Sequence, residues 1–166
     1  MVIDPTALEL RTFEAGDADW LVGRHAALYA EHDGFDTTFG PLVAGILADF
    51  LAAHDPGKER GWIAVAGERR LGSVFCVKSG EDGVAKLRLF LVEPDARGLG
   101  LGQHLLDTCI AFAKDAGYHS MRLWTHESHR AACVLYARNG FRCVSSVPVR
   151  SFGQDLIEQT WELHLT

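Results

Sequence analysis

The stretch Leu91-Val92-Glu93-Pro94-Asp95-Ala96-Arg97-Gly98-Leu99-Gly100-Leu101-Gly102 decides how this chain is read. An apolar strand stops at Glu93-Pro94, because proline cannot donate to a ladder. After Arg97 come three glycines at alternate positions, which allow a tight turn and the close approach of a ligand to the main chain. Leu101, Leu105, Cys109 and Phe112 then recur at helical spacing. The start of that helix presents unpaired N–H groups and the positive end of its dipole to the turn. Such a place suits a phosphate or pyrophosphate, and Arg97 adds a permanent cation at its rim.

Working outward, the spacing predicts the remaining elements. Leu8 to Phe13 alternates as a first strand. Helices are expected from about Trp20 to Glu31 and from about Thr38 to Ala53, the second broken by Asp55-Pro56-Gly57. Strands follow at Trp62 to Ala66, Leu71 to Lys78 and Ala85 to Val92. The glycine turn opens the third helix, which Gly117 closes. Met121, Leu123 and Thr125 share one face of a fifth strand, a short helix runs from about Ser128 to Asn139-Gly140, and Phe141 to Val147 is a sixth strand. In the tail Trp161, Leu163 and Leu165 face one way and Thr160, Glu162 and His164 the other, an edge strand that offers a homodimer contact. The order β-α-α-β-β-β-α-β-α-β-β describes an α/β (α+β) fold with a mixed, mostly antiparallel central sheet flanked by helices.

Composition bounds the function. The 166 residues suit a single domain over 1–166, and 48% apolar and 23% charged residues are ordinary for a globular protein. The formal net charge is −6 and there is no basic run, which argues against nucleic acid and for a small anionic ligand at a local cationic cradle. Met1-Val2-Ile3-Asp4-Pro5 carries no signal-peptide pattern and no apolar run is long enough to cross a bilayer, so a cytoplasmic setting without membrane contact is expected. Cys76, Cys109, Cys133 and Cys143 form no CxxC pair and read as small buried hydrophobes, with no metal site expected.

The order and its motifs resemble the GNAT superfamily of acyl-CoA-dependent N-acetyltransferases over nearly the whole chain. Leu91 to Gly102 is similar to that family's strand, turn and Arg/Gln-x-x-Gly-x-Gly/Ala pyrophosphate loop. Ala132-Cys133-Val134-Leu135-Tyr136-Ala137-Arg138-Asn139-Gly140-Phe141 resembles its helix with a tyrosine before a Gly-Phe turn. The segments His25 to Tyr29, Ala85 to Arg88, Leu123 to Thr125, Ser151 to Leu156 and Gln159 to Leu163 resemble, more narrowly, the acetyltransferase domain fused behind MarR-type winged-helix regulators in bacteria, here standing without that winged helix.

The resemblance implies acetyl-CoA as cofactor and an N-acetyltransferase that acts by direct transfer in a ternary complex. The pyrophosphate would rest on the main chain of Arg97, Gly98, Leu99, Gly100, Leu101, Gly102 and Gln103, and the pantetheine arm would pair with Leu91 and Val92. Tyr136 is expected to act as general acid for the leaving thiolate. His129 stands where many relatives carry an asparagine that holds the pantetheine arm, so a cofactor contact is expected there. The acceptor side would draw on Tyr29, Glu31, Arg88, His126 and Glu127, with His25, Asp33 and Asp36 nearby. Relatives often place a basic carboxylate on the strand before the loop. This chain has Lys86 and Arg88 there and Glu93 at the far end, which leaves His126, Glu127 and His129 as candidate bases. The expected partner is a small-molecule or peptide amine.

Two other readings stay open. A dinucleotide-binding domain would need a glycine where Gln103 stands and an acidic residue ending a second strand. A non-catalytic acyl-CoA sensor on the same fold would keep the cradle and lack turnover.

Overall fold

Two periodicities run through the chain: residues of alternating polarity pair into a sheet, and residues at 3.6 spacing pack onto it. The computed structural model describes residues 3–165, so Met1 and Val2 of the segment read for a signal lie outside the described residues. The elements are β1 (Leu8–Thr12), α1 (Ala18–Asp33), α2 (Phe39–Ala53), β2 (Arg60–Ala66), β3 (Arg69–Lys78), β4 (Val84–Val92), α3 (Leu101–Asp115), β5 (Ser120–His126), α4 (Arg130–Arg138), β6 (Arg142–Ser151) and β7 (Gln154–His164). This is the order expected from the sequence.

The strands form one sheet in the order β1-β2-β3-β4-β5-β7-β6. Among the described residues only β4 and β5 pair in parallel; the other neighbours are antiparallel. Strand β2 shows why the sheet carries helices on both faces. Trp62 and Ala64 pack with Leu101, Leu105 and Cys109 of α3, whereas Ile63 and Val65 pack with Leu21 of α1 and Val43 and Leu47 of α2. Each fully buried leucine in these layers stabilises the fold by about 2 kcal/mol.

Two expectations are corrected. The tail strand β7 is not an edge: it lies between β5 and β6 and pairs with both, so its backbone groups are spent inside the sheet. The edge on this side of the sheet is β6, with Val144 and Val147 exposed, and a dimer contact through a free edge of β7 is thereby excluded. Nor are the cysteines all buried: Cys76 and Cys109 are, Cys133 is half-buried, and Cys143 on β6 is exposed.

Candidate active site

The site arises because β4 and β5 part company. They pair only from Val84 to Lys86 against Ser120 to Arg122. Beyond this β4 bulges: Leu89 takes a positive φ of 52°, the register to β3 slips between Ser73 and Phe75, and the Ser73 hydroxyl donates to the Leu89 carbonyl at 2.6 Å. Strand β5 continues along β7 to His126. The edge of β4 that faces β5 therefore has no partner strand past Lys86, and a cleft of about 820 Å³ opens there. Leu91, Val92, Tyr136 and His129 all line it.

At one end lies the first turn of α3. Its N-cap is Gly100, left-handed at φ 75°, and no described side chain caps the turn. The N–H groups of Leu101, Gly102 and Gln103 precede the first helical hydrogen bond, from His104 to Gly100. A β-carbon placed on Gly98, at φ 81°, or on Gly100 would meet nothing within 4 Å, so the cradle is open above them. Arg97, Gly98, Gly100, Leu101, Gly102 and Gln103 line the cleft, whereas Leu99 does not. Bare donors, open space and an exposed guanidinium at the rim fit a diphosphate. Of Gln103 only the main-chain N–H is free toward the turn. Its side-chain amide is tied to Asp107 at 2.7 Å and to Asn139 at 2.6 Å, which joins α3 to the end of α4.

Tyr136 of α4 lines the cleft, with its ring against Phe90, Phe141 and Trp161. Burial raises its pKa, and the neighbouring Tyr29 adds to the shift. The phenol thus keeps its proton at neutral pH. Tyr29, on α1, also lines the cleft, and burial pushes it up to about 12.

The acceptor-side candidates divide. Tyr29, Arg88 and His129 line the cleft; Glu31, His126 and Glu127 do not. Glu31 and Glu127 are exposed. His126 is half-buried, with its ring edge-on to Phe35 at 5.6 Å; burial lowers its pKa, with His129 as a second cause. The acidic group at the α1–α2 turn also divides. Asp36 is exposed and holds the backbone and hydroxyl of Thr38, whereas Asp33 enters the cleft and meets His129 Nε2 at 2.8 Å. On β4, Arg88 is half-buried and burial lowers its pKa, while the Lys86 ammonium sits 4.4 Å from the centre of the Trp124 ring. Glu93 is engaged by Arg24 through both carboxylate oxygens and does not face the cleft as a base. His25 lines the cleft too. Its Nδ1 binds the Leu21 carbonyl at 2.9 Å, its Nε2 is buried without a partner, and burial lowers its pKa to about 4. Among the described residues no group of three or more metal-ligating side chains is present.

A splayed parallel pair, with a glycine-capped helix and a tyrosine lining the cleft it opens, defines a class. The sequence model of the acetyltransferase (GNAT) family matches residues 22–141, and this chain belongs to that family of acyltransferases. Among curated proteins it is 34% identical over 150 residues to a mycothiol acetyltransferase of Geodermatophilus obscurus, covering 82% of this chain and 45% of that protein. It is 30% identical over 125 residues to N-acetyltransferase 8F1 of Rattus norvegicus, covering 73% of this chain and 51% of that protein. The chain thus spans about half the length of these relatives. Among solved structures, an acetyltransferase of the GNAT family from Staphylococcus aureus superposes with a TM-score of 0.79 at 18% identity, covering 96% of this chain and all of that one. The protein yncA of Salmonella typhimurium, assigned as an acetyltransferase and solved with its cofactor acetyl-CoA, superposes with a TM-score of 0.74 at 19% identity, covering 96% of this chain and 94% of that one. The family's cofactor is acetyl-CoA, and the cradle described above fits its diphosphate.

Proposed function

We propose that this chain acetylates a primary amine directly, with acetyl-CoA and the amine bound together in the cleft. Acetyl-CoA supplies an acetyl group already activated as a thioester. The observation that carries the reading is the continuity of one cleft from the bare first turn of α3 to the protonated Tyr136 hydroxyl. The N–H groups of Leu101, Gly102 and Gln103, with Arg97, hold the diphosphate. The open edge at Leu91 and Val92 pairs with the amide-bearing arm as an added strand would. Tyr136 holds a proton for the departing sulfur. Direct transfer is supported by the cysteines: Cys76 and Cys109 are buried, and burial raises the Cys133 thiol, so none of these is a ready nucleophile.

The mycothiol acetyltransferases among the relatives favour a small-molecule acceptor over a protein. The kinship with the acetyltransferase domains of MarR-fused regulators and a cytoplasmic setting belong to the same proposal. The kinship rests on the segments quoted for it. No helix among the described residues is long and apolar enough to cross a membrane.

The test pairs calorimetric titration of acetyl-CoA with an amine screen read by free thiol. Binding that weakens when Gly100 is replaced, together with thiol release for at least one amine, is the expected result. No binding of coenzyme A overturns the proposal. Binding without thiol release from any amine favours the non-catalytic sensor instead.

A further inference from the structure

We infer that His129 is the base that neutralises the incoming amine, and that Asp33 positions it. This rests on the acetyl-transfer reading above. A primary alkylamine has a pKa near 10, so only about one molecule in a thousand is neutral at pH 7. Some group in the cleft must take the proton. Strand β4 offers Lys86 and Arg88, both cations, and Glu93 is held by Arg24. Glu127 is exposed outside the cleft, and His126 lies off it against Phe35. His25 is kept neutral so firmly by burial that it takes up a proton only near pH 4.

His129 has the geometry these groups lack. Its Nε2 lies 2.8 Å from Asp33 Oδ1. A carboxylate can only accept, so the N–H sits on Nε2 and the lone pair on Nδ1. Nδ1 has one loose neighbour, the Thr125 hydroxyl at 3.4 Å, and both residues line the cleft with Tyr136. Asp33 and His129 are largely buried, with side chains 14% and 19% exposed, so the pair is only weakly screened by solvent. The Tyr29 ring, edge-on at 5.3 Å, and the His126 ring at 5.4 Å hold the imidazole in place. Asp33, His126, Tyr29 and Thr125 are the polar groups that face it. The carboxylate fixes the tautomer and the orientation of the ring.

The proton balance closes. The ammonium gives one proton to Nδ1, which passes it to solvent. The freed lone pair forms the N–C bond and the C–S bond breaks. The sulfur takes its proton from Tyr136, which recovers one from the nitrogen as that nitrogen becomes an amide. The net change is one proton released per turnover.

The test uses His129→Asn, which keeps hydrogen-bonding capacity and cannot act as a base, and Asp33→Asn. Two probes of similar shape are compared: 2-phenylethylamine, protonated at pH 7, and phenylhydrazine, already neutral there. For His129→Asn, kcat/KM should fall about 100-fold with the amine and within about threefold with the hydrazine. Asp33→Asn should lose about tenfold with the amine alone. Acetyl-CoA affinity, measured by calorimetry, should hold in both variants. Nitrogen-15 NMR of histidine-labelled protein should show one Nε2–H tautomer for His129 in the wild type and a mixture in Asp33→Asn. Equal losses with both probes, or a loss of acetyl-CoA affinity, overturn the assignment and return His129 to a cofactor-holding role. Undiminished turnover in His129→Asn removes the base alone. Wild-type inactivity toward every amine removes the acetyl-transfer reading and the base with it.

Discussion

Arg24 of α1 grips both carboxylate oxygens of Glu93, the residue that follows β4 and leads into the glycine loop. The Glu93 side chain is 10% exposed and the Arg24 side chain 36%. This pair joins α1 to the segment that opens the glycine loop. Glu93→Gln leaves a partly buried guanidinium with a weakened partner. The expected cost is about 1–2 kcal/mol, discounted for the exposure of Arg24. The urea midpoint should fall at constant m-value, and acetyl-CoA affinity should fall with it. Unchanged affinity would show that the ion pair supports the fold without shaping the loop.

Gly100 tests the cradle itself. Its φ of 75° is left-handed, and the space above it is open. Gly100→Val forces a branched side chain into that conformation, at about 1–2 kcal/mol of strain, and pushes carbon into the open space above the turn. Acetyl-CoA affinity should fall at least about tenfold by calorimetry, while the circular dichroism of the fold is retained.

Tyr136→Phe removes one oxygen from a ring otherwise held by Phe90, Phe141 and Trp161. Turnover should fall about 100-fold or more, with acetyl-CoA affinity nearly unchanged. Wild-type turnover in this variant would reassign the hydroxyl to packing.

His25 makes stability depend on pH. Its folded pKa, about 4, lies below its ordinary value of 6.5. Below pH 6.5 the unfolded chain takes up a proton that the folded chain refuses. The neutral-state stability is therefore complete above about pH 6.5 and declines as the pH falls toward 4, by about 3 kcal/mol at most. Chemical denaturation of the wild type should show this decline, and His25→Leu should flatten it. Parallel curves for the two proteins would refute it.

Much of the candidate site is legible in the sequence because it is local. The glycine turn, Arg97 and the helix after it are contiguous, and an anion cradle needs nothing more distant than the next turn. Tyr136 stands out through the helix and Gly140-Phe141 turn around it. Less legible are the roles that depend on partners far along the chain. Gln103 reads as a cofactor residue, yet its side chain is tied to Asn139, 36 residues away. Glu93 reads as a carboxylate at the end of the right strand, yet Arg24, 69 residues earlier, holds it. Among the three residues at 126, 127 and 129, spacing offers no ground for choosing; Asp33 singles out His129 across 96 residues.

By itself the sequence determined the element order and the glycine turn, because alternation, helical period and glycine placement act over a few residues, and two local motifs carried the resemblance to the family. Only the tertiary structure decided where β7 sits, how far β4 and β5 pair before they part, and which titratable groups meet in the gap. These follow from contacts between segments far apart in the chain, whose pairing depends on the packing of the whole sheet and on a bulge at Leu89.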